Sequence, residues 1–106
     1  MWAQLIRMRL KAGEDTAEMT EELRSAEQPD SGLVRTLMMR DQKDPNWIYT
    51  LVVFESEEHA RAREQDPRRA ERLEAARSIM ADIFEGAPEF TDLEVVEEWT
   101  GVGGQG

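Results

Sequence analysis

Residues 47–54, WIYTLVVF, constrain the fold of this chain more than any other stretch. The run is rich in β-branched and aromatic residues, and only Thr50 interrupts its apolar character, so it reads as a strand. A strand apolar on both sides sits at the centre of a sheet that is covered on both faces. Its alternation divides Ile48, Val52 and Phe54 from Trp47, Tyr49, Leu51 and Val53. Whatever covers one set cannot cover the other.

The flanking segments show what supplies the first cover. Residues 2–10 (WAQLIRMRL) alternate as a strand, with Trp2, Ile6, Met8 and Leu10 on one side, and Ala12-Gly13 ends it. A helix is expected over about 14–27, opened by the Asp15/Glu18 spacing of a capping box and carrying a Met19, Leu23, Ala26 stripe. Pro29-Asp30-Ser31-Gly32 is turn chemistry. A second strand follows over about 33–40, then a polar hairpin loop over 41–46. Ser56 caps a short helix, and Asp66-Pro67 restarts it. The long helix then runs to about Glu85 on Leu73, Ala76, Met80 and Ile83, and Gly86-Ala87-Pro88 ends it. A last strand is expected over about 90–99.

The order β-α-β-β-α-β is that of the ferredoxin-like α+β fold. Four antiparallel strands carry two helices on one face, with the first and third strands central. The opposite sheet face then lies bare in a single copy. An apolar patch of that size marks an interface, so the pattern implies a homodimer closed sheet to sheet. If Phe54 faces the helices, the interface residues are Trp47, Tyr49, Leu51 and Val53.

The chain has 106 residues, one domain's worth, read as a domain over 1–100 and a flexible glycine-rich tail over 101–106. Its net charge of −10 argues against binding nucleic acid or an anionic membrane, which needs basic patches. Residues 78–106 hold seven acids and no base, which reads as a solvated acidic face. Without cysteine there is neither a disulfide framework nor a thiolate site. No apolar run approaches the roughly 20 residues of a membrane span, and the first residues do not form a signal peptide. The expectation is a cytoplasmic protein.

Several segments together resemble a known family. These are Lys11-Ala12-Gly13 after the first strand, the Pro29–Gly32 turn, Phe54-Glu55-Ser56-Glu57-Glu58-His59-Ala60, and Asp66-Pro67 opening the long helix. Over residues 2–99 the chain resembles the antibiotic-biosynthesis-monooxygenase type of the dimeric α/β barrel superfamily. The resemblance implies a homodimeric barrel with a pocket in each subunit between sheet and helices. Members include cofactor-independent monooxygenases acting on polycyclic aromatic substrates, haem-degrading proteins, isomerases and proteins of no assigned reaction, so the fold does not fix the chemistry.

Residue by residue, the haem-degrading pattern is missing. Residues 67–77 contain no histidine, Ile6 stands where those members carry an Asn, and Arg63 replaces their Trp. No cofactor is expected. His59, the single histidine, is a weak catalytic candidate as a general base. Its competing reading is an exposed residue in a glutamate-rich helix turn, with no evident group to orient it. One histidine makes no metal site, and none is expected. Six arginines between Arg61 and Arg77 are offset by seven acids from Glu55 to Glu74 and read as a solvated helix face. Arg7 and Arg9 are expected to pair with acids on the neighbouring last strand, such as Glu94 or Glu97, rather than to stabilise an oxyanion. Trp2, Ile6, Met8, Phe54, Arg63, Met80 and Phe84 are the substrate-pocket candidates, for a small apolar or aromatic ligand. The function these residues and the resemblance imply is a cofactor-independent monooxygenase-like protein acting on a small aromatic or polyketide-like molecule. The alternative is a non-catalytic dimeric small-molecule-binding module of the same fold.

Overall fold

A computed structural model describes residues 1–101. The expected tail over 101–106 lies, apart from Gly101, outside the described residues. The elements are β1 (Trp2–Leu10), α1 (Ala17–Ala26), β2 (Leu33–Arg40), β3 (Trp47–Phe54), α2 (Glu57–Glu64), a 3-10 turn (Pro67–Arg69), α3 (Ala70–Ile83) and β4 (Phe84–Glu94). The sheet order is β2-β3-β1-β4 and every neighbouring pair is antiparallel. This is the ferredoxin-like arrangement, with β1 and β3 central as the apolar run requires.

Cross-strand register settles the two faces. Trp2 pairs with Phe54, Ile6 with Thr50 and Met8 with Ile48, and these residues face the helices. Ala3 pairs with Val53, Leu5 with Leu51, Arg7 with Tyr49 and Arg9 with Trp47 on the other face. Two clusters fill the sheet–helix layer. One is Met8, Leu10, Met19, Ile48, Ile83 and Phe84; the other is Val52, Phe54 and Ala60. Ile6 packs against both. The α1 stripe behaves as expected, with Met19 and Ala26 buried and Leu23 against the first cluster.

The helix caps follow sequence chemistry in part. The Ser56 hydroxyl accepts the His59 N–H at the start of α2, and Asp66 accepts the Arg68 N–H before Pro67 opens the 3-10 turn. The expected capping box of α1 does not form. The helix begins at Ala17 rather than near Glu14, and the Asp15 carboxylate takes the Ala17 N–H at 2.9 Å instead.

The larger departure is at β4. The long helix ends at Ile83, and the strand begins at once with the buried Phe84. Gly86-Ala87-Pro88 does not stop a helix; it forms an irregularity inside β4. Arg9 pairs with Glu85 and Arg7 with Glu89, so Met8 has no partner on β4. Gly86 has φ +69° there, and an edge strand tolerates the missing proline N–H. The strand also ends early, at Glu94 rather than Trp99. Its partner runs out, because Glu94 already pairs with Trp2 at the start of β1. Arg7 and Arg9 do pair with acids of β4, but with Glu89 at 2.9 Å and Glu85 at 3.5 Å rather than Glu94 or Glu97, and Arg9 also pairs with Asp44 at 2.9 Å. No helix among the described residues is long and apolar enough to cross a membrane.

Candidate functional site

The irregularity in β4 opens a groove. Pairing would have laid β4 flat along β1 at Met8; instead the strand arches away between Glu85 and Glu89. The space left, about 480 Å³, is walled by Arg77, Met80 and Ala81 of α3 on one side and by Phe84 to Pro88 and Phe90 of β4 on the other, with Met8 at its base. Its lining is mostly apolar, as ligand pockets are. The ionisable groups in it are Arg77 and Glu85. Phe90 is 58% exposed, an aromatic ring left facing solvent on the helix side of an edge strand.

Of the sequence-derived pocket residues, Met8, Met80 and Phe84 come together here. Trp2, Phe54 and Arg63 lie at the opposite end of the layer. Phe54 is buried, with its ring centroid 6.1 Å from that of Trp2. Arg63 is ion-paired to Glu27, with Nη2 to Oε1 at 2.6 Å, and its guanidinium lies 5.1 Å from the Phe54 centroid. Burial pushes the Glu27 carboxyl up, but hydrogen bonds from Arg63 and Ser31 outweigh it and hold the group below the usual carboxylate range. Ile6 fills the junction between the two clusters. Sequence reasoning passed over Phe90 and Arg77. In the sequence Phe90 reads only as the first residue of a strand; Arg77 reads as part of a solvated face, and its side chain is indeed exposed while it also lines the groove.

His59 sits away from the groove, at the start of α2. Its Nδ1 is 2.6 Å from the Ser56 hydroxyl and its Nε2 is 3.4 Å from Glu55. Glu55, four residues earlier, is thus the orienting group that was not evident from sequence. The same Ser56 oxygen accepts the His59 backbone N–H. The ring also packs on the turn at Gly32 (φ +81°), where a Cβ would collide with it. These contacts tie the turn before β2 to the cap of α2. A second, shallower depression of about 510 Å³ lies nearby, lined by Met1, Trp2 and Leu93 together with Glu55, Glu57, Asp92 and Glu94. Its four carboxylates make it unfavourable for an anion. Among the described residues no group of three or more histidine, cysteine or acidic side chains is placed to hold a metal ion.

The sheet face away from the helices carries Trp47, Tyr49, Leu51 and Val53 of β3, beside Leu37 and Met39 of β2 and Leu93 of β4. Leu37 is 45% and Met39 42% exposed. At one end Arg7 lies 3.7 Å from the Trp47 ring centroid, with Arg9 at 5.2 Å, cation–π geometry that fixes the indole.

Comparison with solved structures places this architecture among antibiotic-biosynthesis-monooxygenase folds. SnoaB, a cofactor-independent oxygenase from Streptomyces nogalater, superposes with a TM-score of 0.65 at 16% identity, covering 92% of this chain and 94% of its own. Rv0793 from Mycobacterium tuberculosis gives 0.70 at 11% identity over 93% and 98%. A protein described as an antibiotic biosynthesis monooxygenase gives 0.64 at 10% identity over 92% and 100%. No family model matches the chain, and no curated protein matches it. At such identities the likeness is one of fold.

Proposed function

We propose that the chain is a cofactor-independent monooxygenase-like protein that acts on a small aromatic or polyketide-like molecule in the groove between α3 and β4. The observation that carries this reading is the groove itself: an apolar depression at the sheet–helix boundary of a fold shared with a cofactor-independent oxygenase. Without a cofactor, the substrate supplies the electrons. An anthrone-like CH₂ and dioxygen give a quinone carbonyl and water, once the substrate has lost a proton to become electron-rich. Such a reaction asks the protein for a sheltered apolar bed and for stabilisation of the substrate anion. Met8, Met80, Phe84 and Phe90 offer the bed, and Arg77 offers a positive charge at its wall.

A homodimer belongs to this reading. A second copy packed on the Trp47, Tyr49, Leu51 and Val53 face would cover the exposed Leu37 and Met39. The alternative, a non-catalytic binding module of the same fold, is favoured by one observation. His59 lies outside the groove, so no imidazole is at hand there for proton transfer.

Oxygen uptake with anthrones and hydroxynaphthalenes, with no cofactor added, tests the proposal. The expected result is one dioxygen consumed per quinone formed, lost when Ala81→Trp fills the groove. Binding of the same compounds with no uptake above the uncatalysed rate would replace the enzyme by the binding module.

A further inference from the structure

The groove is apolar, yet the charge beside it is positive in a chain with a net charge of −10. Of its two ionisable lining groups, Glu85 is 3.5 Å from Arg9 and is partly neutralised. Arg77, whose side chain is exposed, has no ion-pair or hydrogen-bond partner among the described residues.

Arg69, eight residues earlier on the same stretch of chain, is the more unusual group. It is only 4% exposed, and its Nε–H has no acceptor. Its Nη1 donates to the Arg63 carbonyl at 3.1 Å, which supplies no negative charge. The nearby carboxylates are committed elsewhere, Glu27 to Arg63 and Asp66 to Arg68. Burial above all, and then repulsion from Arg63, pushes the Arg69 pKa down, against the opposing charges of Glu27 and Asp66. A buried guanidinium without a carboxylate is costly. Arg69 does not line the groove, so the cation available to an anion there is Arg77.

We infer that the groove selects acids: an aromatic or otherwise apolar body lies on Met8, Met80, Phe84 and Phe90, and an ionised oxygen (carboxylate, phenolate or enolate) pairs with Arg77. The inference rests on the proposed ligand-binding role of the groove and adds the class of molecule it takes. The overall negative charge of the chain works against any anion. A preference for acids must therefore come from Arg77.

Two dyes with the same ring system separate the questions. 8-Anilinonaphthalene-1-sulfonate carries one negative charge, and N-phenyl-1-naphthylamine carries none. Fluorescence titration of the wild type is expected to show the sulfonate binding about tenfold tighter, a ratio within reach of one charge-assisted contact. Arg77→Gln should remove that advantage and leave the neutral dye unchanged, Arg77→Lys should keep most of it, and Ala81→Trp should abolish both signals. If both dyes bind alike in the wild type and both are lost in Ala81→Trp, the groove stands and the preference for acids is wrong. If neither dye binds, or if binding survives Ala81→Trp, the groove reading falls and takes this inference with it.

Discussion

Phe54 and Met80 both face the sheet–helix layer, and replacing each by alanine separates a packed core from a groove wall. Phe54 is 3% exposed. Its removal deletes a buried ring along with its contacts to Trp2 and to the Arg63 guanidinium. Phe→Ala in a core costs about 3–5 kcal/mol, and the aromatic pair and the cation–π contact place this site at the upper end. A domain of this size has about 5–15 kcal/mol in all. At about 4–8 °C per kcal/mol, Phe54→Ala should lower Tm by roughly 20 °C or more. Met80 touches the first core cluster on one side and the groove on the other. Truncating it leaves a space that water can enter, so the loss is the half-buried side chain's transfer energy, about 1 kcal/mol. Urea denaturation of both variants, analysed at constant m-value, gives the comparison. Equal losses, or a larger loss for Met80→Ala, would mean that Met80 is enclosed in solid packing and that no groove exists beside it.

Thr50 is buried on the helix side of β3, and its hydroxyl has no partner. Thr50→Val should stabilise the fold by about 1–2 kcal/mol, and a lower Tm would show that the hydroxyl is bonded. Because the folded pKa of Glu27 lies below the usual value, its contribution is complete above an unfolded pKa of about 4.3. That contribution is lost as pH falls through the lower folded value. Glu27→Gln should therefore destabilise at pH 7 and flatten the acid limb of the stability profile; an unchanged limb would remove the Arg63–Glu27 pair from the reasoning. Leu51→Glu places a charge in the centre of the open sheet face and should shift sedimentation from dimer to monomer, whereas an intact dimer would put the interface elsewhere.

The topology was legible because one strand, residues 47–54, demands cover on both faces, and the turn residues around it leave few ways to provide it. Alternation also separated Phe54 from Trp47, Tyr49 and Leu51 correctly, since a period of two survives any error at an element's ends. The ends themselves were not legible where tertiary pairing sets them. Gly86 and Pro88 look like a helix stop, yet the helix has already ended at Ile83 with no glycine. What places the junction is the burial of Ile83 and Phe84 in the first core cluster. Likewise the apolar residues Val95, Val96 and Trp99 suggest that the strand continues, but after the Val95 N–H bonds the Met1 carbonyl at 3.1 Å the neighbouring stretch of chain offers nothing further to pair with. The groove follows from the same irregularity. Met8, Met80 and Phe84 could be named from their apolar positions, but Arg77 and Phe90 could not. Their importance comes from the arch between Glu85 and Glu89, which brings them to one place. Arg69 was hidden for a different reason. In a run of arginines and acids nothing local distinguishes the one side chain that turns inward.

The chain has six methionines, and they sample every surface in question. Met8 and Met80 line the groove, Met1 lines the acidic depression, Met39 lies on the open sheet face and Met19 is buried in the core. With ¹³C-methyl methionine, titration with 8-anilinonaphthalene-1-sulfonate is expected to move the Met8 and Met80 methyl signals while those of Met1, Met19 and Met39 stay in place. Movement at Met1 or Met39 with Met8 and Met80 still would contradict a ligand site between α3 and β4.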